Sequence, residues 1–249
     1  MRNLIPILLA LVVLSSGCDC DGYSCTSEGC YADDDSPQYQ TLEDCLSVCD
    51  EITPKPGNCG DLVSHEGYDY STVQIGDQCW FSENCRYLPE VSPSSEGSET
   101  EPYYYVYDYQ GTDVASAMST SNYDTYGALY NWPAVMTEGI CPSGWHIPSD
   151  GEFTHLSDFL GGESVAGGKM KDNIHWNGTN SSGWSGLPGV YRRYDGDFYS
   201  DGNDCSWWSA SESGSNSWSW LRSLDSNVDV VLRFSTSRNS GFSARCVRD

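Results

Sequence analysis

Hydrophobic and polar positions alternate most clearly in the last third of the chain. Val228, Val230, Leu232 and Phe234 interleave with Asp229, Arg233 and Ser235, and Trp218 and Trp220 interleave with serines. A period of two describes strands with two different faces, and Asp225-Ser226-Asn227 between these runs predicts a hairpin. Phe242 to Val247 predicts a further strand. The period changes over residues 149–161, where Phe153, Leu156 and Leu160 recur at helical spacing. Ser149 and Glu152 form the pattern of a capping box, and Gly161 offers a left-handed stop, so this stretch is expected to be the main helix. Earlier, Tyr68 to Trp80 is rich in strand formers around a Gly76-Asp77 turn, and Tyr103 to Tyr109 is equally β-prone. Residues 126–136 are apolar. Residues 92–102, and the glycine-rich 161–170 with its continuation to Trp184, read as loops. One helix, an antiparallel sheet and long loops make the expected class α+β.

The first 58 residues are organised differently. Arg2 followed by the apolar run Leu4–Leu14 is too short to span a bilayer and predicts a signal peptide over residues 1–17. Leu14-Ser-Ser-Gly-Cys18 is similar to a bacterial lipoprotein signal, so Cys18 is the candidate lipidation site. Cleavage without lipidation, giving a secreted protein, is the alternative. Cys18, Cys20, Cys25, Cys30, Cys45 and Cys49 then crowd residues 18–50, too short a stretch to bury a sufficient core without disulfide staples. Cys25, Cys30, Cys45 and Cys49 are candidate disulfide partners with open connectivity, and Tyr39–Cys49 reads as a short helix. Residues 51–58, with Pro54 and Pro56, form a linker, and the main domain is expected over 59–249.

Charge and composition narrow the function. Thirty-six acidic against 12 basic side chains give a formal charge of -24, which disfavours nucleic acid and anionic lipid as partners. Twelve cysteines without metal-knuckle spacing fit an oxidising compartment. No HExxH, nucleophile elbow or phosphate loop occurs, so the chain is not expected to be an enzyme. Asp195, Asp197, Asp201 and Asp204, with Asn203, crowd one loop with the hard oxygen donors that calcium prefers, but without the EF-hand spacing. Calcium is therefore the candidate cation, and no cofactor is otherwise implied. Trp176, Trp184, Trp207 and Trp208, joined by Trp218 and Trp220, offer aromatic platforms for sugar rings, with Asp201 and Asn203 as polar neighbours. Cys246 near the C-terminus is a candidate partner for Cys141, just before the helix.

Six separated motifs, VQIGDQCWFSEN (73–84), YGALYNWPAVM (126–136), CPSGWHIPSDGEF (141–153), LPGVYRRYDGDFYSDG (187–202), WWSAS (207–211) and GFSARCVRD (241–249), occur in an order that resembles the Fibrobacter succinogenes major paralogous domain. That family comprises secreted and lipoprotein domains of Bacteroidetes and Fibrobacteres, and the resemblance covers residues 60–249. It implies a plan similar to C-type-lectin-like folds and to formylglycine-generating enzyme domains, with Cys141 bridged to Cys246. Cys79 and Cys85 depart from the family pattern and suggest an extra local bridge, with Cys59 or Cys205 as further candidates. The expected function is surface-attached extracytoplasmic recognition of a glycan or cell-surface ligand, the membrane being reached only through the lipid. A structural surface protein is the alternative, and a formylglycine-generating-type enzyme a third.

Overall fold

The computed structural model describes residues 58–200 and 202–249 in full and, of the first 57, the backbone of three strands. The chain divides into two units, residues 1–57 and 58–249. In the first, β1 (Cys18–Cys20), β2 (Tyr23–Thr26) and β3 (Gly29–Ala32) form an antiparallel sheet in which Cys25 stands opposite both Cys18 and Cys30. The signal peptide, the side chains of Cys18, Cys25 and Cys30, the Tyr39–Cys49 segment with Cys45 and Cys49, and Asp201 lie outside the described residues.

The second unit is α+β. Its chain enters through two short hairpins. The first pairs β4 (Val63–His65) with β5 (Tyr68–Tyr70), and the second pairs β6 (Thr72–Ile75) with β7 (Gln78–Phe81) across the Gly76-Asp77 turn. The Tyr-rich run read as one strand is thus broken at Ser71, and its first half turns back on residues 63–65. Of the Tyr103–Tyr109 stretch only β8 (Tyr104–Tyr105) is strand, paired with β9 (Leu129–Tyr130). Between them lie the short helices α1 (Val114–Met118) and α2 (Ser121–Tyr126), and α3 (Trp132–Val135) follows β9. Asp113, Thr120 and Asn131 cap these helices through their side chains.

The two-residue strand β10 (Trp145–His146) leads into helix α4 (Asp150–Phe159). The capping box is present in both directions, with Ser149 Oγ accepting from Glu152 N and the Glu152 carboxylate accepting from Ser149 N at 2.7 Å. After it, Gly161 and Gly162 adopt φ of +106° and +97°, and the chain starts again as helix α5 (Glu163–Met170). The glycine-rich stretch is therefore helix, not loop. A Cβ on Gly167 would lie 2.7 Å from the Asp229 carbonyl oxygen, so these glycines let the helix backbone rest against a neighbouring strand.

The C-terminal third holds the longest strands. After the β11 (Tyr191–Arg192) and β12 (Phe198–Tyr199) hairpin, β13 (Asp204–Glu212), β14 (Trp218–Asp225) and β15 (Val228–Ser237) form an antiparallel meander. The expected strand from Phe242 shortens to β16 (Val247–Arg248), which pairs with β7 and β10. The beginning and end of the domain thus share one sheet, in the order β10-β16-β7-β6. Two disulfides lock this junction: Cys59–Cys79 fastens the entering chain to β7, and Cys141–Cys246 fastens the segment before α4 to the segment before β16. Cys85 and Cys205 are buried free thiols. No helix among the described residues is long and apolar enough to cross a membrane.

Candidate functional site

The β13-β14-β15 meander positions the site, because its alternation sends neighbouring residues to opposite faces. The register sets Trp207, Arg222 and Arg233 in one row and Trp208, Leu221 and Phe234 in the next. The first face is closed by α4 and α5. Trp207, Cys205, Leu224 and Val231 join Phe153, Leu156, Ala166 and Met170 in one core. Arg222, buried on this face, meets Asp150 at 2.5 Å and Thr154 at 2.8 Å, and Arg233 closes on the same carboxylate at 2.9 Å. Burial pushes the Asp150 pKa up, but the two guanidiniums outweigh it and hold the carboxyl below its usual range.

The second face is only partly covered. Trp208 and Leu221 pack inward with Phe242 and Tyr130, while Phe234 at the outer strand remains 51% exposed. A shallow cleft of about 310 Å³ opens here. Its floor is Leu221, Phe242 and the hydroxyls of Ser206 and Ser223. Phe234, Thr236, Asp204 and Tyr191 form its rim. Tyr191 is held in place by its neighbour Arg192, whose buried guanidinium donates to the carbonyls of Ser94, Glu96 and Asn239 at 2.6–3.0 Å. Reciprocal backbone bonds of 2.8 Å between Arg192 and Gly241 set Tyr191 beside Phe242. The rings of Tyr199, Tyr191 and Phe242 then stack in sequence at 5.7 and 5.6 Å. The result is a floor of apolar side chains and two serine hydroxyls, with an exposed ring, further hydroxyls and one carboxylate at its edge, the general make-up of a small-molecule site.

A second cleft of about 480 Å³ lies along residues 135–147 and includes Cys141, Trp145 and His146. His146 is engaged at both ring nitrogens, by Asp249 at 2.5 Å and by Glu152 at 2.8 Å. Burial disfavours its charged form, yet the bonds to Asp249 and Glu152 prevail and raise its pKa. The raised pKa favours the imidazolium, and with both ring nitrogens engaged the side chain ties α4 to the C-terminus.

The structure redistributes the other sequence-predicted residues. Trp176, Trp184, Trp207 and Trp208 are not a surface platform, since all four are buried. Trp184 and Trp207 meet edge to face at 4.7 Å, with the Arg245 guanidinium 3.7 Å over Trp184. Trp207 donates to Asn84 and Trp208 to the Tyr130 carbonyl, both at 2.8 Å. Each of these indoles buries a large apolar area, and the N–H groups of Trp207 and Trp208 are satisfied inside the core. Trp218 and Trp220 keep exposed surface, the latter under the Arg233 guanidinium at 3.5 Å. Asn203 accepts from Ser226 N at 2.7 Å and closes the β14–β15 end of the meander.

Of the acidic loop, Asp195 pairs with Arg193 at 3.0 Å, Asp197 is exposed and Asp204 opens β13 on the rim of the smaller cleft. Among the described residues the ligand atoms that converge are instead sulfurs, those of Cys85, Cys141 and Cys246, all within 4.8 Å of one another. Tyr191, Phe234 and the serines of the cleft were missed by sequence reasoning. The Phe234 alternation signals a strand, but not which face lacks a cover.

No curated protein and no solved structure matches the chain. The family model of the Fibrobacter succinogenes major domain matches residues 73–248, well over half the sequence, and so the chain belongs to that family.

Proposed function

We propose that the protein is an extracytoplasmic recognition module that binds a glycan in the cleft between Phe234 and Tyr191. It is attached to the cell surface through a lipid on Cys18. The observation carrying this reading is the exposed Phe234 ring above Ser206 and Ser223, with Asp204 and Thr236 at the rim. Sugars present an apolar C–H face and a hydroxyl edge, and a site of this kind meets both, one by stacking and the other by hydrogen bonding. A C-type-lectin-like plan is part of the reading. It is supported by the pairing of β7 with β16 and by the bridge from the segment before α4 to the residue preceding the last strand. Binding rather than catalysis is favoured by the double engagement of His146 and by the two buried thiols, Cys85 and Cys205, whose pKa values burial pushes up to about 12. The reading does not invoke calcium, because Asp195 is already paired with Arg193.

A glycan array probed with the mature protein, with and without chelator, tests it. The expected result is chelator-insensitive binding to a restricted glycan set, weakened at least tenfold by Phe234→Ala. Absence of binding to any glycan, with calcium present, would overturn the reading. Palmitate labelling of the expressed precursor tests the anchor, and an unlabelled Cys18 found in a disulfide would indicate free secretion.

A further inference from the structure

Cys85 has no disulfide partner, yet it stands beside a disulfide. Its Sγ lies 3.5 Å from that of Cys246, which is bridged to Cys141, and all three sulfurs fall within 4.8 Å of one another. The backbones on either side are fixed. Cys85 N donates to the Ala244 carbonyl and Phe81 N to the Cys246 carbonyl, both at 2.9 Å. Cys85 and Cys246 thus sit on adjacent, hydrogen-bonded segments with their sulfurs already in contact. Cys141 is the accessible corner of the triangle, for it is half-buried and lines the 480 Å³ cleft, whereas Cys85 and Cys246 are fully buried.

We propose that Cys246 has two alternative partners, and that exchange from Cys141 to Cys85 releases the Cys141 thiol into the wall of the larger cleft. Thiolate Cys85 attacks Cys246 Sγ; the Cys85–Cys246 bond forms as the Cys246–Cys141 bond breaks, and the proton lost by Cys85 ends on Cys141. No oxidant or reductant is consumed. Because the three sulfurs form a compact triangle, Cys85 lies to the side of the existing bond, and collinear attack needs rotation of one sulfur about its Cα–Cβ bond. Burial pushes the Cys85 thiol up to about 12 against the pull of the Arg245 guanidinium, so its thiolate is scarce and the exchange is slow. Either bridge keeps the last strand fastened. Only the tether of residues 139–146 is surrendered. Cys205, the other free thiol among the described residues, is not a substitute: it belongs to the separate core under α4 and α5 and packs against Gly189, where an added Cβ would come within 2.2 Å of its sulfur.

Two measurements on the mature, oxidised protein decide this. In wild type, prolonged exposure to N-ethylmaleimide under native conditions followed by peptide mapping is expected to label Cys141, with Cys85 and Cys246 recovered as one disulfide-linked pair. Labelling of Cys141 should drop at least tenfold in Cys85→Ser. In Cys141→Ser, mapping after acid quench should recover the Cys85–Cys246 disulfide. Wild-type protein that labels only at Cys85, or never at Cys141, would overturn the proposal, as would Cys85 and Cys246 both remaining alkylatable in unfolded Cys141→Ser. Should that variant not fold, the wild-type labelling pattern and its dependence on Cys85 give the answer alone.

Discussion

The two faces of the β13-β14-β15 meander are built from one alternating sequence and end in opposite conditions. One lies under α4 and α5 and carries Trp207, Arg222 and Val231 in a filled core. The other is sealed at Trp208 and Leu221 but leaves Phe234 and a cleft at the outer strand. The difference is not one of hydrophobicity, since Trp207 and Trp208 are adjacent and both buried. It comes from what covers each row. Helices α4 and α5 cover the middle of the first face, while α3 and the Phe242 segment cover the second only over β13 and β14. Stability is concentrated on the covered face, and the capacity to bind on the incomplete one.

That contrast breaks most severely at Trp207. Replacing it with alanine opens a void between α4 and the sheet and removes one of the two donors to Asn84 Oδ1, so a loss of about 3–5 kcal/mol is expected in urea denaturation. An unchanged midpoint would mean that the helix-covered face does not carry the stability assigned to it. Cys246→Ser is expected to cost about 2–5 kcal/mol, because it removes the partner of Cys141 and of any substitute bridge. A folded, oxidised wild-type protein with Cys141 and Cys246 both free by thiol assay would refute that assignment.

The covered face was the more legible of the two in sequence. Ser149, Glu152, Phe153 and Leu156 announce α4 by capping chemistry and period, and both features are in place. The β14–β15 hairpin was equally plain from alternation about Asp225–Asn227. Helix α5 was not, because Gly167 and Gly168 depress intrinsic helix propensity while answering a demand that only the folded state makes: close approach to Asp229 and Val230. The tryptophans misled for a related reason. A period of two states that a strand has two faces, but it does not state whether zero, one or two of them will be covered. Here the strand bearing Trp207 and Trp208 is covered on both, and the open ring is the less conspicuous Phe234.

Smaller perturbations sharpen the comparison. Ser149→Ala removes the side-chain cap of α4 and leaves the Glu152 amide unpaired, at an expected cost of about 1 kcal/mol in thermal or urea unfolding. The tie at His146 makes a pH-dependent contribution. Its folded pKa is raised by Asp249 and Glu152, so the stability it supplies is fully present below its unfolded value, near 6.5. That stability is lost as pH rises through the folded pKa. Both partners are partly exposed, and solvent screening keeps the effect within about 1 kcal/mol. Melting curves across pH 5 to 9 should show a shallow decline in wild type that His146→Gln lacks, and a decline of the same size in the variant would exclude His146 as its source.

The smallest expected change in stability is the most informative about the open face. Phe234 is 51% exposed, so Phe234→Ala forfeits little buried surface and should move the unfolding midpoint by no more than about 0.5 kcal/mol. Trp207→Ala, one register row away on the other face, removes a side chain only 1% exposed. If the cleft rim exists to hold a ligand, Phe234→Ala should leave the fold intact and still cut glycan binding at least tenfold. If the same substitution destabilises the domain by several kcal/mol, the ring is packing against something and the face is not open. A neutral result in both assays would leave the second face as plain surface, and the distinction between a covered side for stability and an incomplete side for recognition would fall with it.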